Sequence, residues 1–186
     1  HRVHRRQRQM CIRDSTLDEC YEGIDSGFTS VMFDGSKLTL KENIKISKKI
    51  ASRAHKYNIS IEGEIGFVGY DNGKISEGTN IEDAVTFANK SNIDAMAISV
   101  GNTHLQTSKK ASIDFNKINL IEAKTKIPLV LHGSSGIPVE QRKKLARKTK
   151  VAKLNIGTEI RMTFGEALRK NLKNNPKTYD LSLIHI

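Results

Sequence analysis

Five short apolar runs, each spaced from the next by an amphipathic stretch, constrain this chain more than any other feature. The runs are "FTSVMFD" (28–34), "ISIEGEIG" (59–66), "IDAMAISVG" (93–101), "IPLVLH" (127–132) and "VAKLNIG" (151–157). They are rich in β-branched residues and nearly continuous in hydrophobicity, the pattern of strands buried on both faces of a parallel sheet. Helical spacing marks "TLDECYEGIDSG", "TLKENIKISKKIASRAHKYN", "IEDAVTFANKSN", "KINLIEAKT", "PVEQRKKLARKT" and "TEIRMTFGEALRKNLKNN". In the last of these Ile160, Phe164, Ala167, Leu168 and Leu172 share one face. Ser15 or Thr16 caps the first helix, Asn80 caps the third, and Pro138 stands near the first turn of the fifth. Strict β–α alternation predicts an α/β fold with a helix-covered parallel sheet. No Gly-x-Gly-x-x-Gly follows the first strand, so a dinucleotide-binding fold has no support. A (β/α)8 barrel needs about 250 residues, so five βα units in this length are expected to be its C-terminal part, an incomplete TIM barrel. The runs at 28–34 and 151–157 are then expected at the open edges of the sheet.

Composition narrows the class. Hydrophobics are 37% and charged residues 27%, which fits a globular chain. No run is long and apolar enough to span a membrane, and no apolar segment follows the basic N-terminus. Two cysteines, Cys11 and Cys20, make no disulfide framework and fit a reducing, cytoplasmic compartment. The net charge of +11 invites a nucleic-acid reading. The cations are spread along amphipathic helices, however, and aromatics are only 5%, too few for a base-stacking platform. The expectation is no nucleic acid and no membrane. Residues 1–15, "HRVHRRQRQMCIRDS", and 181–186, "LSLIHI", share no periodicity with what they flank. They are expected to be a non-native leader and tail around a partial barrel domain at 16–180.

Polar residues recur where the apolar runs stop. Asp34, Glu64, His104, His132 and Asn155 are separated by 30, 40, 28 and 23 residues, about one βα unit each. In a barrel the C-terminal strand ends meet at one mouth, where the chemistry sits. Two histidines and two carboxylates converging there would make a Zn²⁺ site, with a second metal position possible. Each residue also has an ordinary reading: Asp34 as a turn residue before Gly35, either histidine as a hydrogen-bonded structural group, Asn155 as a partner for loop backbone. Glu62 and Glu64 point to one face of their strand, which leaves open that one is a salt-bridge partner. "HGSSG" after the fourth strand and "NIGTE" after the fifth combine small residues with helix N-termini, which suit an anion.

In order and spacing, "TSVMFDGS", "SIEGEIGFVGY", "DAMAISVGNTHL", "PLVLHGSSGIP" and "VAKLNIGTEIR" resemble the class II, zinc-dependent fructose-bisphosphate aldolases and their ketose-bisphosphate relatives. The resemblance runs from about Thr16 to Asp180. It implies a (β/α)8 barrel and reversible cleavage of fructose 1,6-bisphosphate, or of tagatose 1,6-bisphosphate, to dihydroxyacetone phosphate and a triose phosphate. It implies Zn²⁺ on His104 and His132, and Glu64 and Asp34 at alternative or second cation positions. Gly133, Ser134, Ser135 and Asn155, Ile156, Gly157 and Thr158 would hold the phosphate, and Asn155 would also hydrogen-bond the reacting oxygen. The partner implied is a small phosphorylated sugar, and the full-length protein is expected to be a homo-oligomer. Three departures stand out. "MCIRDS" occupies the place of a His-x-Asp-His segment that supplies a zinc histidine and the proton-transferring Asp, so the chain alone is expected to be inactive. Leu105 replaces a usual Gly in contact with substrate. "GYDNG" replaces a Glu-rich loop, with Asp71 taking part of its role. Two other readings are a non-catalytic phosphate- or nucleic-acid-binding module, and a metal-free phosphosugar isomerase or epimerase. The second of these would leave His104 and His132 apart.

Overall fold

A computed structural model of the chain describes residues 13–14, 16–70, 73 and 76–176. Its elements run in strict alternation: β1 (Arg13–Asp14), α1 (Leu17–Asp25), β2 (Ser30–Phe33), α2 (Leu40–Ala54), β3 (Ser60–Ile65), α3 (Ile81–Ser91), β4 (Ala95–Ile98), α4 (Phe115–Lys124), β5 (Leu129–Leu131), α5 (Val139–Lys148), β6 (Val151–Leu154) and α6 (Thr158–Asn174). All neighbouring strands are parallel, in the order β1-β2-β3-β4-β5-β6. Sequential parallel order is that of a (β/α)8 barrel, of which this sheet is a part. The five apolar runs are the five strands β2 to β6. Arg13–Asp14, which the sequence reading set aside, pair in parallel with Met32–Phe33. The run at 28–34 is therefore not an open edge along its whole length, whereas among the described residues β6 pairs with β5 alone.

Local chemistry sets the helix starts. Thr16 with Glu19 and Thr39 with Glu42 form reciprocal capping boxes at α1 and α2, each worth about 1 kcal/mol. Asn80 caps α3 and Asp114 caps α4. The Asp114 cap starts α4 at Phe115, two residues before the periodic stretch at 117. Consecutive helices α1 to α4 pack side by side on one face of the sheet. The core lies between them: Val31, Phe33, Ile61, Ile65, Met96, Ile98, Leu129 and Leu131 face Ile50, Phe87, Ile118 and Ile121. α6 has no buried residue, and its apolar stripe leaves Ile160 and Phe164 exposed. Among the described residues no helix is long and apolar enough to cross a membrane.

Strand parity puts a different set on the other face. Met32, Glu62, Glu64, Ala97 and Val130 are buried yet outside the helix-facing cluster. Register aligns Met32 with Glu62, and Glu64 with Ala97 and then Val130. The small Ala97 beside Glu64 leaves room for its carboxylate on this face.

Candidate functional site

His132 lies one residue past β5, and its buried ring is held between two carboxylates of β3. Its Nε2–H donates to Glu62 Oε1 at 2.7 Å, and its Nδ1 stands 3.0 Å from Glu64 Oε2 as an ion pair. Glu62 Oε2 accepts from Lys153 Nζ at 2.7 Å. Asn102 Nδ2 donates to His132 O at 2.8 Å and fixes the backbone beneath the ring. Burial by itself would push the imidazole pKa down. The bonds to Glu62 and Glu64, with their charges, outweigh it and raise the pKa to about 9. For Glu62 burial acts upward, but His132 and Lys153 hold its carboxyl below the usual carboxylate range.

His104 lies beside this group, its ring centroid 6.4 Å from that of His132 and 5.3 Å from that of Tyr70. Its backbone N–H donates to Gly69 O, which ties the β4–α4 loop to the β3–α3 loop. Asp34 closes β2 with Oδ1 accepting from Ser36 N and Oγ, a turn of the ordinary kind. Asp71 lies outside the described residues. Among the described residues, no three His, Cys, Asp or Glu side chains already converge closely enough to hold a metal. The donor set nevertheless fits zinc. Ligands with bonds of about 2.0–2.2 Å at a tetrahedral centre stand roughly 3.4 Å apart. Glu64 Oε2 and His132 Nδ1 are 3.0 Å apart, a few tenths of an ångström short of that spacing. The Nε2 bond to Glu62 is of the kind that would orient the ring if Nδ1 took a metal.

An open cleft of about 570 Å³ runs from these rings to the start of α6, with His104, His132, Gly133, Ser135, Asn155 and Gly157 among its lining residues. Ile156, Thr158, Leu105, Lys153 and Arg161 line it too. The two loops expected to form an anion pocket therefore share one cleft, but their groups are not equally available. Ser134 is fully buried. Its Oγ donates to Leu131 O and its N–H to Asn155 O. Ser135 Oγ accepts from Glu159 N. The Asn155 backbone is committed to Leu131 and Ser134. Gly133 has φ +61°, and an added Cβ would lie 2.6 Å from Thr103 C and O. Glycine is needed there for close packing of the Thr103–His104 segment, not only for an approaching anion. Arg161, which sequence reasoning passed over, folds back along the first turn of α6 to donate to Thr158 Oγ1 at 3.2 Å. A cation at the positive end of a helix is unfavourable unless an anion joins it. Lys153 and Glu62 were also not singled out as site residues. Period-two alternation from Glu64 was the available signal for Glu62.

Leu105 is 56% exposed with φ +57°. A leucine in the left-handed region is strained by about 1–2 kcal/mol, part of which glycine would return as unfolded-state entropy. Leu105→Gly is therefore expected to stabilise the fold by about 0.5–1 kcal/mol, read from thermal or urea unfolding.

A parallel βα barrel segment with histidines, carboxylates and an anion-suited cleft at its C-terminal strand ends defines the (β/α)8 class. The chain belongs to the class II fructose-bisphosphate aldolase family, whose pattern matches residues 11–185. It is 37% identical over 172 residues to a 6-phospho-5-dehydro-2-deoxy-D-gluconate aldolase of Shouchella clausii, covering 91% of this chain and 58% of that protein. It is 36% identical to a sulfofructosephosphate aldolase of Alkalicoccus urumqiensis, covering 89% and 60%. A fructose-bisphosphate aldolase of Staphylococcus epidermidis is 35% identical, covering 89% and 59%. The crystal structure of the YdjI aldolase from Escherichia coli K12 superposes with a TM-score of 0.74 at 26% identity, covering 87% of this chain and 57% of that one. The chain thus spans about three fifths of the length of the curated relatives it matches.

Proposed function

We propose that this chain carries the metal- and phosphate-binding part of a metal-dependent aldolase that cleaves a phosphorylated sugar. The observation that supports it most is His132, pinned between Glu62 and Glu64 at the floor of a cleft that ends at the N-terminus of α6 and Arg161. Glu64, His104 and His132 would hold a zinc ion, with Asp34 serving a second cation position. Bound there, the ion supplies Lewis acidity to a substrate carbonyl. Asn155 offers its side-chain amide to the same oxygen, where a preorganised donor stabilises developing charge. Gly133, Ser135 and Asn155 to Thr158 cradle the phosphate, with Arg161 adding a forked, charged donor. Fructose 1,6-bisphosphate is one substrate of this type, with the tagatose isomer beside it. The relatives' names add a phosphorylated sugar acid and a sulfofructose phosphate at similar identity. All share the phosphate, so this reading assigns the chain the phosphate-holding end and leaves the opposite end open to phosphate, carboxylate or sulfonate. The side-by-side rings of His104 and His132 disfavour a metal-free isomerase, for which they would stand apart.

The test is calorimetric titration of the chain with dihydroxyacetone phosphate, with Zn²⁺ and after chelation. Binding heat that appears only with Zn²⁺ is the expected result. Arg161→Ala should weaken that binding roughly tenfold, the loss of one charge-assisted contact. Metal-independent binding of an oligonucleotide with a steep salt dependence would instead favour a nucleic-acid-binding module.

A further inference from the structure

We infer that Lys153 is a positioning residue for the metal site: by anchoring Glu62 it sets the orientation of the His132 ring, and so the direction in which Nδ1 faces. The inference rests on the metal reading above.

The backbone first makes the contact possible. β6 pairs Val151 with Leu129 but Lys153 with Val130, because the register shifts between Leu129 and Val130. Regular alternation would put Lys153 on the helix-facing side with Val151. The irregularity turns it to the cleft side, which is how a bulge re-aims a side chain. There its Nζ reaches Glu62 Oε2 at 2.7 Å, across 91 residues of sequence.

Geometry then passes the constraint along. The two oxygens of Glu62 are divided, one to Lys153 and one to His132 Nε2. A carboxylate held at both oxygens cannot rotate without breaking one bond. The His132 backbone is already tied by Asn102. Rotation of the imidazole about its Cβ–Cγ bond is the main freedom left, and the Nε2–Glu62 bond selects one of its two flipped orientations. In that orientation Nδ1 points at Glu64. Charge follows the same division. Lys153 offsets the negative charge of Glu62.

The test compares wild type, Lys153→Met and Lys153→Arg by competition for Zn²⁺ against a chromophoric chelator, with the Co²⁺ absorption bands as a readout of ligand geometry. Loss of an outer partner typically costs roughly 10–100-fold in metal affinity. Lys153→Met is expected to lose that much and to change the Co²⁺ bands, while Lys153→Arg retains affinity and bands close to wild type. A merely structural role would lower the melting temperature without altering the bands of the folded fraction. Wild type that binds no metal overturns the metal reading and this inference with it. Wild type that binds, with Lys153→Met unchanged in affinity and spectrum, overturns the inference alone. If Lys153→Met does not fold, Glu62→Gln decides. A loss of similar size supports the relay, and unchanged affinity overturns it.

Discussion

Gly133→Val is expected to destabilise the chain by about 3–5 kcal/mol, a left-handed backbone penalty added to overpacking. At φ +61° a Cβ meets Thr103 C and O at 2.6 Å and His104 N at 2.8 Å. Those atoms are backbone, so relief requires the whole Thr103–His104 segment to move. That segment carries His104 beside His132, and the substitution should therefore weaken metal binding in whatever fraction still folds. Gly133→Ala provides a graded control, since it keeps the strained φ and the short contact but removes the branched methyls. Urea unfolding of the two variants checks the order. Tolerance of valine within about 1 kcal/mol would show that this turn relaxes more freely than core packing ordinarily allows.

The metal-free chain is expected to lose stability as pH rises from about 6.5 to about 9, by on the order of 3 kcal/mol in all. The folded pKa of His132, about 9, stands above its ordinary 6.5. Its contribution is thus fully present below 6.5 and is lost as pH climbs through the folded value. Glu62 acts in the opposite direction. Its folded pKa is depressed, so its contribution is present above 4.5 and is lost as pH falls through the lowered value. Stability should accordingly crest in the weakly acidic range. Urea midpoints measured across this span test the profile, and Glu64→Gln should flatten its alkaline limb by removing one of the two carboxylates that hold the imidazolium. A limb as steep in Glu64→Gln as in wild type would mean that Glu64 does not share the proton. A cation entering between Nδ1 and Glu64 must displace that proton. Zinc affinity should therefore rise by up to about tenfold per pH unit over the same window.

Strands, helices and the positions of the strand ends follow from local chemistry in the chain itself. β-branched runs, helical spacing and the caps Thr16 and Asn80 each act within a few residues, so they can be read without the fold. Spacing of about one βα unit likewise made it legible that Glu64, His104 and His132 belong to one mouth. The division of labour within that mouth was decided by the tertiary structure. Glu62 and Glu64 have the same parity, and the arrival of Lys153 and Nε2 on Glu62 and of Nδ1 on Glu64 is what the tertiary structure adds. The turn of Lys153 toward the cleft depends on a register irregularity against β5 that no period in "VAKLNIG" announces. Ser134 looks like an anion ligand in "HGSSG", yet the 3-10 turn Ser134–Gly136 directs its hydroxyl onto Leu131. Asp34 is bonded to its own turn, one of the two readings its sequence allowed. Periodicity and capping are short-range and act along the chain. The contacts from Glu62 to His132 and Lys153 span 70 and 91 residues, and their geometry exists only once the whole sheet has settled its register.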